Sequence, residues 1–204
     1  SGFLVTKGRL QPFIATLITM TIYRGVTMIY TEGKPISGLG SSAFLKFIGK
    51  GAVFGIPFPV IILVVVFAIF YFVLNKTTFG RRIYATGSNA ECAKLAGVNI
   101  NKTKLIAYGV SGLMSAMAGL ILLSRLSSAQ PTLGSGYELD AIAAVALGGT
   151  SMNGGRGKIT GTLFGVLIIA VLSNGMNILG ISSYYQDVVK GIVILLAVLS
   201  DRKR

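Results

Sequence analysis

The chain has 204 residues, of which 52% are hydrophobic and 12% are charged, whereas a typical soluble domain carries about 25% charged residues. Its formal net charge of +13 would suit a nucleic-acid-binding protein, but the basic residues cluster at the ends of apolar runs, as they do in membrane proteins. The composition therefore predicts a multi-pass membrane protein whose partner is the lipid bilayer and not nucleic acid.

The residue types exclude several kinds of chemistry. The sequence has no His and a single Cys, which rules out a nucleophile–His triad, a disulfide within these residues and a His/Cys metal site. Only Glu138 and Asp140 are neighbouring carboxylates, and side chains two residues apart on a helix do not face each other. We therefore expect no catalytic residue, no metal and no cofactor, and hence a protein that is not an enzyme.

Five apolar segments are predicted to cross the membrane, because a crossing takes about 20 largely apolar residues. The strongest lies between Lys50 and Lys76, where 25 consecutive residues carry no charge. In chain order the predicted crossings are 13–30, 51–75, 105–124, 159–176 and 184–199. This pattern predicts an all-α, polytopic transmembrane helix bundle.

Arg24 interrupts the first of these apolar segments. A charged side chain in the hydrocarbon is costly, so it usually faces a cavity or a partner, or reaches the interface. Two interpretations of Arg24 stay open: a structural one, snorkelling or pairing, and contact with the translocation path.

The distribution of basic residues predicts the orientation. The loop 76–104 holds six of them, residues 202–204 are all basic, and the connection 179–186 has none. Because Lys and Arg favour the cytoplasmic side, we place the loop 76–104 and the C-terminus in the cytoplasm. Two points on one side are joined by an even number of crossings, so a short or broken helix buried among its neighbours is predicted within 137–150.

Small residues at intervals of four predict close helix packing within the membrane. Gly161 and Gly165 form one such pair, and Ser111, Ser115 and Gly119 form a second series. Small side chains let helix backbones approach each other in lipid. Ordinary packing within a bundle and a dedicated dimer motif both fit this spacing.

Glu138 and Asp140 lie at the predicted external end of the short crossing. Carboxylates are favoured at the start of a helix, so a capping role is the plain interpretation. The functional interpretation is a polar rim of the translocation path or a contact for an external partner.

A polar island at 84–97 separates two long apolar runs. Ser88 and Glu91 have the spacing of a capping box, which predicts that a helix begins at Ser88. Gly97 lies where a left-handed C-terminal turn belongs, and Lys94 near that end suits the helix dipole. A solvated helix at the membrane surface is the plain interpretation, and a docking helix for a partner is the functional one.

The Gly-rich segment 148–158 is a poor match to a nucleotide-binding loop. Gly149 and Gly154 have the spacing of a Walker loop, but Gly155 occupies the position of its essential Lys. The segment is predicted to be a tight cytoplasmic turn. Any ATP hydrolysis would therefore take place in a partner subunit.

Several sequence blocks resemble the bacterial ribose ABC-importer permeases, and they extend over nearly the whole chain. The blocks are FIATL at 13–17, RGVTM at 24–28, LSSAQP at 126–131, GYELDAIAAV at 136–145, LGGTS at 147–151, SSYYQ at 182–186 and VILLAVL at 193–199. The spacing Glu-x-Ala-x-x-x-Gly also resembles the coupling loop of ABC-importer permeases, with Cys92 in place of the first Ala of the family pattern Glu-Ala-Ala-x-x-x-Gly.

The resemblance implies a single transmembrane permease domain over 1–204 that includes the cytoplasmic coupling loop 76–104. It implies a fold like that of the vitamin-B12-importer permeases, of which this chain would be the C-terminal two-thirds, without the N-terminal helices. The residues implied to couple the permease to its ATPase are Ser88, Asn89, Ala90, Glu91, Cys92, Ala93 and Gly97.

The same resemblance implies import of ribose or a related monosaccharide across the bacterial inner membrane, driven by ATP. The expected partners are an ABC ATPase subunit, a second permease subunit in a homodimer and a periplasmic sugar-binding protein. Two alternatives are an ion-coupled secondary carrier for a small solute and a membrane scaffold that does not transport.

Overall fold

The computed structural model describes residues 1–38 and 43–202, and these are mostly helical. The elements in chain order are α1 (Gly2–Thr6), α2 (Pro12–Thr31), β1 (Ile36–Ser37), α3 (Ala43–Lys50), β2 (Ala52–Val53), β3 (Ile56–Pro57), α4 (Phe58–Lys76), α5 (Thr78–Ser88), α6 (Ala90–Leu95), α7 (Ile100–Leu126), β4 (Ser128–Ala129), α8 (Tyr137–Leu147), α9 (Ile159–Ile178) and α10 (Ser183–Arg202). The prediction of an all-α, polytopic protein is confirmed.

The chain forms two compact units, the first made of residues 1–68 and 99–133. In this unit α1 and α3 both pack against α7. The two-residue strands β1 and β4 pair antiparallel, with Ser37 opposite Ser128, and the Lys50 ammonium donates a 3.0 Å hydrogen bond to the Ser127 hydroxyl. The C-terminal end of α7 is thereby held to the segments around α3.

The second unit comprises residues 69–98 and 134–204. Its centre is α8, which packs against both α9 and α10. Ala143 and Ala144 of α8 are buried with Ile169 of α9, and α10 contributes Val193 and Ile194 to the same cluster. The predicted short helix within 137–150 is therefore present as one unbroken helix, and its alanine face is buried as expected.

The glycine pair at 161 and 165 lets α8 and α9 meet backbone to backbone. A Cβ at Gly165 would collide with the carbonyl oxygen of Ala144, and one at Gly148 would lie 2.6 Å from the carbonyl carbon of Gly161. Close packing through this pair is confirmed. The second series of small residues, Ser111, Ser115 and Gly119 on α7, makes no such close contact. Ser111 and Ser115 are exposed, and a Cβ at Gly119 would have no neighbour within 4 Å.

Four helices in the described part of the chain are long and apolar enough to cross a membrane: α2, α4, α7 and α9. They coincide with four of the five predicted crossings. The fifth, 184–199, falls on α10, which is 20 residues long but carries Asp187 and Lys190 in its first half and is not among the four. The crossing by α10, the orientation of the chain and its description as one permease domain stay predictions.

The sequence predicted one helical crossing over the apolar segment 51–75. In the structure only the part from Phe58 onward is helical. Residues Ala52–Val53 and Ile56–Pro57 pair as a hairpin before α4 begins at Phe58. The 19 residues of α4 span about 28 Å at about 1.5 Å per residue, which is close to the hydrocarbon thickness of about 30 Å.

An ion pair also joins α8 to α10. The Lys190 ammonium lies 3.0 Å from the Asp140 carboxylate, and the two side chains are 22% and 27% exposed. Nearby, the Gln186 amide donates 2.9 Å hydrogen bonds to the Asn177 side chain and to the Ile181 carbonyl. These contacts place a polar network at one end of the three packed helices.

Gly165→Ala is expected to destabilise the α8–α9 contact by about 1–3 kcal/mol, because the added methyl group overpacks a backbone contact. The matched control is Gly175→Ala on the same helix, where a Cβ meets nothing within 4 Å and Ala is the better helix former by about 1 kcal/mol. The free energy of unfolding of both variants can be measured by detergent titration. Equal effects of the two variants would contradict this account of the contact.

A double-mutant cycle of Asp140→Asn and Lys190→Met is expected to give a coupling energy in the range of about 0.5–3 kcal/mol, because each single variant leaves a half-buried charge unpaired. The matched control is the cycle of Glu32→Gln and Lys34→Met, whose 3.0 Å ion pair is 76–77% exposed. A coupling below about 1 kcal/mol is expected there. Equal coupling in the two cycles would show that the α8–α10 pair adds nothing beyond a surface contact.

Candidate functional site

The polar island at 84–97 holds the end of one short helix, α5, and the whole of a second, α6. α5 begins after Thr77, whose hydroxyl oxygen accepts a 3.3 Å hydrogen bond from the Gly80 amide. The turn from α4 into α5 is tight, and a Cβ at Gly80 would collide with the Leu74 carbonyl oxygen. α5 then continues to Ser88, and α6 follows after the single residue Asn89.

The N-terminal cap of α6 is Asn89, so the prediction of a helix that begins at Ser88 is wrong. Asn89 is extended (φ −155°, ψ 109°), and its side-chain oxygen accepts a 3.0 Å hydrogen bond from the Cys92 amide. Ser88 is still helical in α5, and the Asn89 amide donates to the Ala85 carbonyl. Since the cap has moved by one residue, Glu91 lies one position too early to complete a capping box.

The C-terminal end of α6 is closed as the sequence predicts. Gly97 is left-handed, with φ +79°, and its amide donates to the Lys94 carbonyl while the Val98 amide donates to the Ala93 carbonyl. These two hydrogen bonds form a Schellman motif, which satisfies the last carbonyl groups of the helix. The six residues of α6 are thus fixed at both ends by local hydrogen bonds.

One side of α6 is buried within its unit and the other side is exposed. Ala93 is buried and Ala90 is half-buried, while Glu91 and Cys92 are exposed. Leu95 shares the outer side with them and is 89% exposed. The sequence prediction missed Leu95, although an isolated Leu within a polar island is a signal for an apolar contact with a partner.

The end of α5 packs against the loop that joins α8 to α9. The Tyr84 hydroxyl donates a 3.0 Å hydrogen bond to the Gly157 carbonyl. A Cβ at Gly155 would lie 2.6 Å from the Ser88 Cα, so the two backbones are in direct contact. The predicted tight turn in this loop is present, with the Ser151 amide donating to the Arg156 carbonyl.

The three other candidate residues belong to α8 and α2. Glu138 is exposed, and its carboxylate accepts a 3.1 Å hydrogen bond from the Gly136 amide at the start of α8, which supports the capping interpretation. Asp140 is paired with Lys190. Arg24 is exposed on α2 in the first unit and forms no salt bridge with another described residue.

Comparison with known proteins places this arrangement in a family. The model of the permease component of branched-chain amino acid transport systems matches residues 1–198. The chain is 58% identical over 204 residues to a ribose import permease protein of Bacillus subtilis (strain 168) and 56% identical over 203 residues to that of Haemophilus influenzae. It is 45% identical over 202 residues to an L-arabinose transport system permease protein of Escherichia coli (strain K12).

These alignments cover all or nearly all of this chain, namely 100%, 98% and 99% of it. The chain spans 63% of the length of the two ribose import permeases and 61% of that of the arabinose permease. No solved structure matches it. Because the family model covers nearly every residue, the chain belongs to the family of permease components of branched-chain amino acid transport systems.

Proposed function

We propose that the protein is the membrane-spanning subunit of an ATP-driven importer that carries ribose or a related monosaccharide across the bacterial inner membrane. The observation that carries this proposal is the 58% identity to a ribose import permease over the entire chain. Identity to the arabinose permease is lower, 45% over 202 residues, so ribose is the favoured substrate.

The permease subunit needs no covalent chemistry of its own in this mechanism. Its relatives are transport permeases by name, and ATP hydrolysis belongs to an ABC ATPase subunit on the cytoplasmic side. A second permease subunit would complete the path, and a periplasmic sugar-binding protein would deliver the substrate to the outer face. The C-terminus is cytoplasmic in this arrangement.

α6 is the proposed contact with the ATPase. The residues in and around α6 that the coupling-loop resemblance implies are Ser88, Asn89, Ala90, Glu91, Cys92, Ala93 and Gly97, and we add Leu95 to them. An apolar side chain that is 89% exposed gains free energy when a partner covers it, at roughly 25 cal/mol per Å² of apolar surface. Glu91 and Cys92 lie on the same side of the helix and would share the contact.

Motion of α6 has a physical route into the membrane helices of its own unit. α6 follows α5 after one residue, and α5 is held to the loop 149–158 by the Tyr84 hydrogen bond and the Ser88–Gly155 backbone contact. That loop connects α8 to α9, which pack through Gly161 and Gly165. The route drives transport only if the ATPase binds one conformation of the permease better than the other.

The ion-coupled carrier is the competing function. Such carriers usually place a titratable group deep in the membrane, and the carboxylate of Asp140 is already paired with Lys190 at a partly exposed end of α8. The family model and the relatives support the importer permease and not the carrier.

Deletion of the gene is expected to abolish high-affinity uptake of labelled ribose by the cells that make the protein. Uptake should continue when a protonophore collapses the proton gradient at constant ATP, and should stop when ATP alone is depleted, because ATP is the energy source. Unlabelled arabinose should compete less well than unlabelled ribose. Uptake that follows the proton gradient would establish the carrier instead, and normal uptake after deletion would exclude any transport role.

Gly97→Val is expected to break the C-terminal turn of α6, because a left-handed backbone costs an L-residue with a side chain about 1–2 kcal/mol. The control is Gly97→Asn, since Asn tolerates this conformation. Cys92 is the only cysteine of the sequence and reports docking through maleimide labelling in inside-out vesicles with and without the ATPase. The ATPase should protect Cys92 in the Asn variant and not in the Val variant, and sugar uptake should follow the same order. Equal protection in both variants would contradict the role of α6.

A further inference from the structure

The hairpin β2–β3 presents the most exposed large apolar side chain among the described residues of the first unit. Val53 pairs with Ile56, and the two-residue loop between them is Phe54-Gly55. Phe54 is 101% exposed, so its ring packs against no described residue of the first unit. The apolar side chain of Ile56 beside it is also exposed.

The backbone conformation of Phe54 is unfavourable for this residue type. Phe54 has φ +52° and Gly55 has φ +81°, and positive φ at both positions is the pattern of a type I′ turn, which favours Asn, Asp or Gly. A positive φ at a bulky residue is an outlier. Because the ring gains no contact within this unit, neither the turn nor the packing of the chain accounts for a Phe at this position.

The hairpin is fixed to the beginning of a membrane-crossing helix. The Phe58 amide, at the first residue of α4, donates a 2.8 Å hydrogen bond to the Gly51 carbonyl. The Phe58 ring packs against Phe47 of α3, with 4.8 Å between the ring centroids. None of the most apolar part of α4 is buried within the chain, so this helix has a surface available to lipid.

The dimensions place the hairpin at the membrane boundary. α4 spans the hydrocarbon with its 19 residues, so Phe58 lies at one edge of it. The tip of the hairpin is two residue pairs away, which is about 7 Å at about 3.4 Å per residue. The headgroup region on each side of the hydrocarbon is about 5–8 Å thick, so Phe54 stays within reach of the boundary between headgroups and acyl chains.

The charges around the hairpin suit a phospholipid surface. Lys46 and Lys50 of α3 are exposed, and the sequence has no Asp or Glu between Glu32 and Glu91. Exposed apolar side chains combined with Lys on a polar face are typical of segments that lie in the membrane interface.

We propose that α3 and the hairpin β2–β3 form an interfacial anchor, and that the partner it fits is the phospholipid headgroup layer. The Phe54 ring enters the boundary between headgroups and acyl chains, while the Lys46 ammonium faces a lipid phosphate. The Lys50 ammonium keeps its hydrogen bond to the Ser127 hydroxyl and adds positive charge beside it. Transfer of the ring out of water then offsets the cost of its left-handed backbone. The proposal excludes a protein partner and a second copy of this chain as the molecule that covers α3 and the hairpin.

Tryptophan fluorescence in proteoliposomes tests the proposal, because these 204 residues contain no Trp. The signal is the difference in emission between the substituted and the unsubstituted transporter, which removes the contribution of any Trp elsewhere in the assembly. Phe54→Trp, in the assembled transporter, is expected to lose most of its emission in lipid brominated near the ester end of the acyl chains. It should lose less emission in lipid brominated near the methyl end. Emission from Phe54→Trp that no brominated lipid quenches would overturn the proposal.

Two control variants calibrate this measurement. Ile69→Trp is 11 residues beyond Phe58 and 53% exposed, about 16 Å along the helix, so bromines near the methyl end should quench it most. Leu95→Trp replaces a side chain of α6 that is 89% exposed and should be quenched by neither lipid. Shielding of Phe54→Trp from aqueous iodide only after the binding protein is added would assign the surface to a protein partner and overturn the proposal.

A second variant separates the ring from the turn. Phe54→Gly keeps a residue that favours the left-handed backbone and removes the ring, so the hairpin should still form. Trypsin is expected to cleave after Lys46 and Lys50 several-fold faster in this variant, because the anchor no longer holds them at the bilayer. An unchanged cleavage rate, together with retained fold, would overturn the proposal.

Discussion

The backbone contact between α8 and α9 is the constraint on which the second unit depends. Helices in lipid gain little from burial of apolar surface against each other, so their association rests on close packing. Gly165 lies against the Ala144 carbonyl and Gly161 lies against Gly148, and a methyl group at either glycine would separate the helices. The short α8 is thereby held among its neighbours, although its 11 residues are too few to cross the hydrocarbon alone.

The placement of α6 follows from the same packing. The loop between α8 and α9 is positioned by the ends of these two helices, and its glycines allow the backbone of α5 to touch it at Ser88. The Tyr84 hydroxyl adds a hydrogen bond to a carbonyl that is 73 residues distant in sequence. A small helix with locally satisfied ends is thus joined to the membrane helices by direct contacts rather than by a flexible tether. That arrangement is the structural basis of the proposed coupling to an ATPase.

Three outcomes show what the sequence-based predictions could and could not find. The left-handed Gly97 was predictable, because a Gly after a short polar helix has few other roles. The start of α6 was predicted one residue too early, since Ser88 and Asn89 are both good caps and the continuation of α5 through Ser88 decides between them. The hairpin before α4 was missed because a window of uncharged residues gives the same hydropathy to a strand and to a helix.

The class of the protein, the position of four membrane helices, the small-residue contact at Gly161 and Gly165, and the family could all be predicted from the amino-acid sequence. These properties depend on composition, hydropathy and the spacing of residues within a short stretch of sequence. They are therefore independent of how distant segments pack together. The pairing of Asp140 with Lys190, the exposure of Leu95 beside Glu91 and the projection of Phe54 from a hairpin became visible in the folded chain. Such contacts and exposures depend on which helices pack together, and residues 50 positions apart, as in the Asp140–Lys190 pair, leave no local pattern in the sequence.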